Sequence, residues 1–330
     1  MLENKILCGN NIETLKAIGD KSVDCCVTSP PYFGLRDYGT TQWEGGDPNC
    51  DHLVGRQTRG IVSDKQKSNV GSFGDESIKK GCACPKCGAI RIDDQIGLEE
   101  TPGEYIENLM LVFNEVYRVL KDTGTCWVNI GDSYNGSGKG KSTFSKQSAN
   151  AGSQIERPLK LKGLSPKSLI GIPWRFAFAM MDAGWILRQD IIWSKPSPMP
   201  EPIKDRFCKS HEYIFLFTKK TKYYFDHNFA LEPATGYDGR KVETGLTEQP
   251  HVQNIPTNPL RTKRDVWVIA SEPSEYGHFA MYPQKLVLPC ILCGCPEKGI
   301  VLDPFLGSGT TALVAMKNLR KYIGCEINPE

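Results

Sequence analysis

No stretch of this chain approaches the roughly 20 consecutive apolar residues that a bilayer-spanning helix needs, which argues against a membrane protein. No charge of one sign prevails either. Lys and Arg number 40 against 38 Asp and Glu, a formal net charge of +2, so the chain as a whole does not announce a polyanionic partner. Internal repeats are missing, and with them the solenoid and propeller architectures. A leader is not expected either. Met1-Leu2-Glu3-Asn4-Lys5 runs straight into the strand-like Ile6-Leu7-Cys8-Gly9, and no signal peptide is expected.

What the chain does hold is cysteine. Its 13 cysteines are an odd number, scattered without a secretory context, and they read as reduced thiols of a cytoplasmic protein. Cys8, Cys25, Cys26 and Cys325 sit beside apolar residues and read as small core side chains. At 330 residues, 39% of them hydrophobic, the chain suffices for one large domain with insertions. Charge is uneven along it. Lys139, Lys141, Lys146, Arg157, Lys160, Lys162 and Lys167 face a single acid, Glu156, within 135–168. Such a flexible basic loop can neutralise phosphates, although a solvated surface loop has the same composition.

Strands are expected at 5–9 and 23–27 with a helix over 12–18 between them. A segment over 33–97 without clear periodicity marks an insert. Tyr105, Leu109, Val112, Phe113, Val116 and Leu120 recur at helical spacing behind a Thr101/Glu104 capping box. A strand over 125–130, a helix over 172–183, and strands over 185–193 and 211–218 follow. Residues 226–264 are polar and irregular. A helix over 282–293, a strand over 299–302, a helix over 310–318 and a strand over 322–326 complete the pattern, and Glu330 stands where another helix is expected. This alternation predicts an α/β, doubly wound, mostly parallel Rossmann-like sheet with inserted loops.

Two strand ends carry the chemistry. Val23–Val27 leads into Thr28-Ser29-Pro30-Pro31-Tyr32, and Ile300-Val301-Leu302 leads into Asp303-Pro304-Phe305-Leu306-Gly307-Ser308-Gly309-Thr310. Open α/β sheets place ligands at such ends. The first loop offers a hydroxyl, carbonyls without competing proline N–H groups, and an aromatic ring. The glycines of the second let backbone approach a ligand that a helix N-terminus also faces. Glu326, after the next strand, is placed to accept from a ribose diol. The loop lacks both the dinucleotide fingerprint and the lysine of a phosphate loop. A second decoy, Gly138-Lys139-Gly140-Lys141-Ser142, has Asn135 where a phosphate loop requires its first glycine. Taken singly, the glycine loop can be a structural turn and Pro-Pro-Tyr a plain loop or a ligand for a proline-binding module.

Cys50-x-His52 and Cys84-x-x-Cys87 supply four zinc ligands at the two ends of an insert over 40–97, with Cys82 spare or replacing Cys84. Cys290-x-x-Cys293-x-Cys295 lies in an apolar helical run and reads as core.

The tetrad and the glycine loop together resemble the S-adenosylmethionine-dependent DNA amino-methyltransferases. The early tetrad and late glycine loop match the permuted β class of that cytosine-N4/adenine-N6 family. The resemblance spans most of the chain and is weak at 53–83, 135–165 and 226–262. It implies catalytic roles for Ser29, Pro30, Pro31 and Tyr32. It implies that Asp303, Pro304, Phe305, Gly307, Gly309 and Thr310 surround the methionine part of the cofactor, and Glu326 its ribose. Asn10, where the family usually has Asp, corresponds to the adenine contact. His278 and Phe279, in His278-Phe279-Ala280-x-x-Pro283, correspond to further lining of the methionine pocket. Asp265-Val266-Trp267 also matches, its Trp as core.

A base amine is a poor nucleophile because its lone pair is delocalised. Two acceptors, Ser29 and the Pro30 carbonyl, would favour a pyramidal nitrogen aimed at the methyl group, with Tyr32 stacked on a base flipped from the duplex. Ser29, where adenine enzymes of this class usually carry Asp, points to cytosine N4, with adenine N6 the alternative. The resemblance further implies double-stranded DNA as substrate, a target-recognition region within 196–265, and room for a homodimer or a cognate restriction endonuclease. Two rivals stand beside it: a non-catalytic zinc-bearing DNA-binding protein on this fold, and a nicotinamide oxidoreductase, for which the glycine spacing is wrong.

Overall fold

The computed structural model describes residues 2–34, 42–50, 52, 83–92, 94–136, 161–198, 201, 203–234, 259–272 and 282–328. Its main sheet takes strands β1 (Lys5–Cys8), β2 (Val23–Thr28), β5 (Leu120–Ile130), β6 (Ile186–Ser194), β7 (His211–Thr218), β10 (Val266–Val268), β11 (Ile300–Asp303) and β12 (Lys321–Glu326). Their order is β1-β12-β11-β2-β5-β7-β6-β10. β7 runs antiparallel to both its neighbours, and every other pairing is parallel. Two short two-stranded antiparallel sheets lie outside it, β3 (Gln42–Glu44) with β4 (Ile90–Ile92) and β8 (Leu231–Pro233) with β9 (Leu260–Thr262).

Helices cover both faces. α1 (Asn11–Lys16), α2 (Pro102–Val119) and α3 (Ile172–Asp182) pack into one core, and α4 (Gln284–Gly294) with α5 (Thr310–Lys317) into the other. β2 feeds both cores, with Val23 and Cys26 on one side and Cys25 and Val27 on the other. That is why it is apolar at both faces, with Asp24 the one charged residue in it. α2 buries Tyr105, Leu109, Val112, Phe113, Val116 and Val119 completely. Its start is the expected capping box: Glu104 N–H donates to Thr101 Oγ1 and Thr101 N–H to the Glu104 carboxylate. Thr101→Ala should therefore destabilise the protein by about 1 kcal/mol in urea unfolding without changing cofactor affinity. No loss of stability would mean that packing alone fixes this helix.

The structure departs from the sequence reading in places with identifiable causes. β5 starts at Leu120, directly after α2, instead of at 125. Residues 121–124 form an excursion within the strand, and the β2–β5 register shifts between Val23 and Cys25 to absorb it. The insert over 33–97 contains the β3–β4 pair. The 226–264 segment contains a 3-10 turn at His227–Ala230 as well as β8 and β9. Part of 196–265 belongs to the sheet itself, since it includes β7. Cys8 is exposed, because β1 is an edge strand, whereas Cys25, Cys26 and Cys325 are buried as expected. Cys82 and most of the basic residues in 135–168, Lys139 to Lys160, lie outside the described residues. Among the described residues no helix is long and apolar enough to cross a membrane.

Candidate active site

β2 and β11 lie side by side, so their C-terminal ends meet at the centre of the sheet. Asp303 joins them. Its carboxylate is buried and accepts from Thr28 Oγ1 at 2.6 Å, Thr311 Oγ1 at 2.6 Å, Tyr282 OH at 3.0 Å and Phe305 N–H at 3.0 Å. Burial pushes this carboxyl up, and the hydrogen bonds from Thr28 and Thr311 pull it back down. Thus Asp303 clasps the tetrad strand, the glycine loop and the first turn of α5 together from beneath.

The loop itself needs its glycines. Gly307 and Gly309 have φ of +53° and +86°, in the left-handed region that side chains resist. Gly309 is also the N-cap of α5, and no side chain caps that end. The first amides of α5 are therefore available to a ligand. Glu326 ends β12 opposite this loop, with Oε2 accepting from Gly307 N–H at 2.8 Å and Oε1 from Asn328 N–H at 3.0 Å. Asn10 reaches the same end of the sheet through β1, where its Oδ1 caps α1 by accepting from Ile12 N–H at 2.9 Å. Pro304, Phe305 and Thr310 follow from their places in the loop. His278 and Phe279 lie outside the described residues. Left-handed glycines, uncapped helix amides and a carboxylate opposite them form a donor set suited to a nucleoside-bearing cofactor.

The tetrad is held from three directions. Tyr105 OH on α2 donates to the Pro31 carbonyl at 2.8 Å, and Gly34 N–H donates to Gly97 O at 2.9 Å. The Tyr32 ring rests on Gly131, where a Cβ would approach to 2.5 Å. Its hydroxyl donates to Glu212 Oε2 at 2.6 Å and lies 3.0 Å from Asn129 Oδ1. Burial, with Glu212 alongside, raises the Tyr32 phenol well above its usual range, so it stays a donor. Lys195 forms an ion pair with the other oxygen of Glu212. Sequence reasoning missed Asn129, Glu212, Lys195 and Tyr282. The one available signal was a polar Asn129 in the apolar run Trp127-Val128-Asn129-Ile130.

The insert brings its four candidate ligands together. β3 and β4 pair with Trp43 opposite Arg91, setting Cys50 and His52 beside the Cys84–Cys87 knuckle. The four ligand atoms lie within 4.8 Å of one another. Cys50 Sγ is 3.9 Å from Cys84 Sγ, and Cys87 Sγ is 3.4 Å from His52 Nδ1. Tetrahedral bonds of about 2.3 Å to sulfur and 2.0–2.1 Å to nitrogen put ligand atoms roughly 3.5–3.8 Å apart, so the donor set fits zinc. A hydrogen bond with His52 pulls the Cys84 thiol down to about 6, which favours the thiolate a metal requires. The Cys290–Cys295 cluster has no such lowered thiol. Burial raises Cys290 strongly, Cys293 to about 11 and Cys295 to about 12, as for core thiols.

A mixed sheet with a glycine loop, an acid one strand on and a Pro-rich tetrad at the adjoining strand end defines the methyltransferase class. The family model described as DNA methylase matches residues 23–330. The chain is 37% identical over 322 residues to the Type II methyltransferase M.XycI of Xanthomonas campestris pv. cyanopsidis, covering 98% of this chain and 83% of that one. It is 37% identical over 327 residues to the Type II methyltransferase M.SmaI of Serratia marcescens, covering 99% and 87%. In fold it is similar to the PvuII cytosine-N4-specific DNA methyltransferase, with a TM-score of 0.58, 18% identity and coverage of 100% and 84%. A protein of Thermus thermophilus solved with S-adenosyl-L-methionine matches with a TM-score of 0.50 and 17% identity over 98% of this chain and 89% of that one. The chain belongs to the N4/N6 family of S-adenosylmethionine-dependent DNA methyltransferases.

Proposed function

We propose that this DNA methyltransferase methylates cytosine at N4. The observation that carries the reading is Ser29, a neutral hydroxyl at the tetrad position where adenine enzymes of the family usually have Asp. S-adenosylmethionine supplies an electrophilic methyl group when bound. The chain's own residues do the rest. Ser29 Oγ and the Pro30 carbonyl accept the amine hydrogens, and the prolines bring no N–H of their own to compete for that carbonyl. Tyr32 stacks on the flipped base. Catalysis is then positioning and exclusion of water, and positioning alone can supply about 7–11 kcal/mol. Sequencing that reads modified bases in DNA from expressing cells tests the assignment. Modified cytosine within one recurring sequence supports it, and modified adenine contradicts it.

Pro304, Phe305, Gly307, Gly309 and Thr310 cradle the methionine part, with Asp303 acting from beneath, and Glu326 accepts from the ribose hydroxyls. Glu326→Ala should weaken S-adenosylmethionine binding by about 1–3 kcal/mol, roughly 5- to 150-fold. DNA affinity measured without cofactor should change little. Unchanged cofactor affinity by calorimetry would remove Glu326 from the site. Cys50, His52, Cys84 and Cys87 hold one structural zinc ion. Double-stranded DNA is the substrate, read by parts of 196–265 and by the basic segment 135–168.

A further inference from the structure

Ser29 can act in two senses. A hydroxyl has one proton and two lone pairs, and only the lone pairs help when the incoming group is an amine. Its surroundings remove the choice. Asn129, buried near the end of β5, places Oδ1 at 3.4 Å from Ser29 Oγ and 3.0 Å from Tyr32 OH. Tyr32 also has one proton, and its 2.6 Å contact with the Glu212 carboxylate is the charge-assisted one, which takes that proton. The Asn129 amide is fixed in turn. Its Nδ2 donates to Tyr213 O at 3.1 Å and to Glu212 Oε2 at 3.3 Å, which turns Oδ1 toward Ser29. Lys195 holds Glu212 from the far side and rests over the Trp193 ring.

The hydrogen bonds thus run one way, from Ser29 toward Asn129 Oδ1 and the Tyr32 oxygen, and from Tyr32 into Glu212. We propose that Asn129, oriented by Glu212 and Lys195, is a positioning residue that accepts a hydrogen bond from the Ser29 hydroxyl and so leaves the Ser29 lone pairs to the target amine. This rests on the acceptor role given to Ser29 above. It also accounts for a buried amide in an apolar strand, a placement that demands satisfied partners.

The test compares wild type, Ser29→Ala, Asn129→Leu and the double variant. Single-turnover methyl transfer from tritiated S-adenosylmethionine is followed on genomic DNA from a bacterium lacking DNA methylation, with cofactor affinity by calorimetry. Asn129→Leu should lose about tenfold or more in rate while cofactor affinity stays within about threefold. The double variant should be no more than about threefold slower than Ser29→Ala, because groups acting as one unit are not additive. Should Leu disturb β5, Glu212→Gln gives a second reading. Its amide can donate toward Tyr32 and reverse the direction, and the same rate loss with retained cofactor affinity is expected. Wild-type rates in Asn129→Leu and Glu212→Gln, or losses that multiply with that of Ser29→Ala, would overturn the proposal. Full turnover by Ser29→Ala would instead remove the acceptor reading on which it rests.

Discussion

Ser29→Ala should slow methyl transfer by about 100-fold or more, the usual cost of deleting one preorganised hydrogen-bonding group at a reacting centre. The Pro30 carbonyl remains as a second acceptor, which is why activity should fall steeply without vanishing. Cofactor affinity should stay within a few-fold, since Ser29 follows β2 while the residues proposed to hold the cofactor follow other strands, chiefly β11 and β12. The expected pattern in single-turnover kinetics is thus a fallen rate at saturating cofactor with an unchanged cofactor dissociation constant. A variant that turns over near the wild-type rate would contradict the acceptor role. A variant that loses cofactor affinity would instead indicate that Ser29 supports the fold of the pocket.

The second large effect concerns the insert. Metal analysis of gently purified protein should find about one zinc per chain, and Cys87→Ser should lose it, because three remaining ligands do not close a tetrahedral structural site. Structural zinc contributes about 10–16 kcal/mol of folding free energy in small zinc-finger peptides. The two-stranded β3–β4 pair, too short to stand alone, should accordingly become open to limited proteolysis. S-adenosylmethionine binding should persist, since the residues proposed for it come from the main sheet. Turnover is expected to fall, because the insert returns to the tetrad through the Gly34–Gly97 hydrogen bond. Zinc-free wild-type protein with an intact β3–β4 pair would leave these four side chains as ordinary loop residues.

The sheet was legible wherever one chemical signal decided the element. The apolar run of β2, the capping box of α2 and the glycines before α5 each announced themselves. So did the two halves of the Cys/His cluster, because a Cys-Pro-x-Cys-Gly turn points both thiols one way. The polar support of the tetrad did not. Asn129 and Glu212 are far apart in sequence and meet only because β5 pairs antiparallel with β7, Ile130 opposite Tyr213. Lys195 joins them through the β6–β7 pairing, which sets Ser194 opposite His211. No local pattern encodes such a register. The start of β5 was missed for a related reason: Lys121-Asp122-Thr123-Gly124 has the composition of a turn, and only the pairing of Leu120 with Val23, ahead of the ladder that begins at Thr125, extends the strand back across it. Cys8 shows the converse limit, since an apolar neighbourhood in sequence does not reveal that a strand lies at the sheet edge.

The most direct test of the central claim is the identity of the methylated nucleoside. Unmethylated genomic DNA is incubated with the enzyme and tritiated S-adenosylmethionine, digested to nucleosides, and separated by chromatography against standards. The account predicts that label co-migrates with N4-methylcytosine and that Ser29→Ala strongly reduces the same peak. Label in N6-methyladenine would contradict the cytosine assignment, and with it the reading of Ser29 as the residue that selects the base.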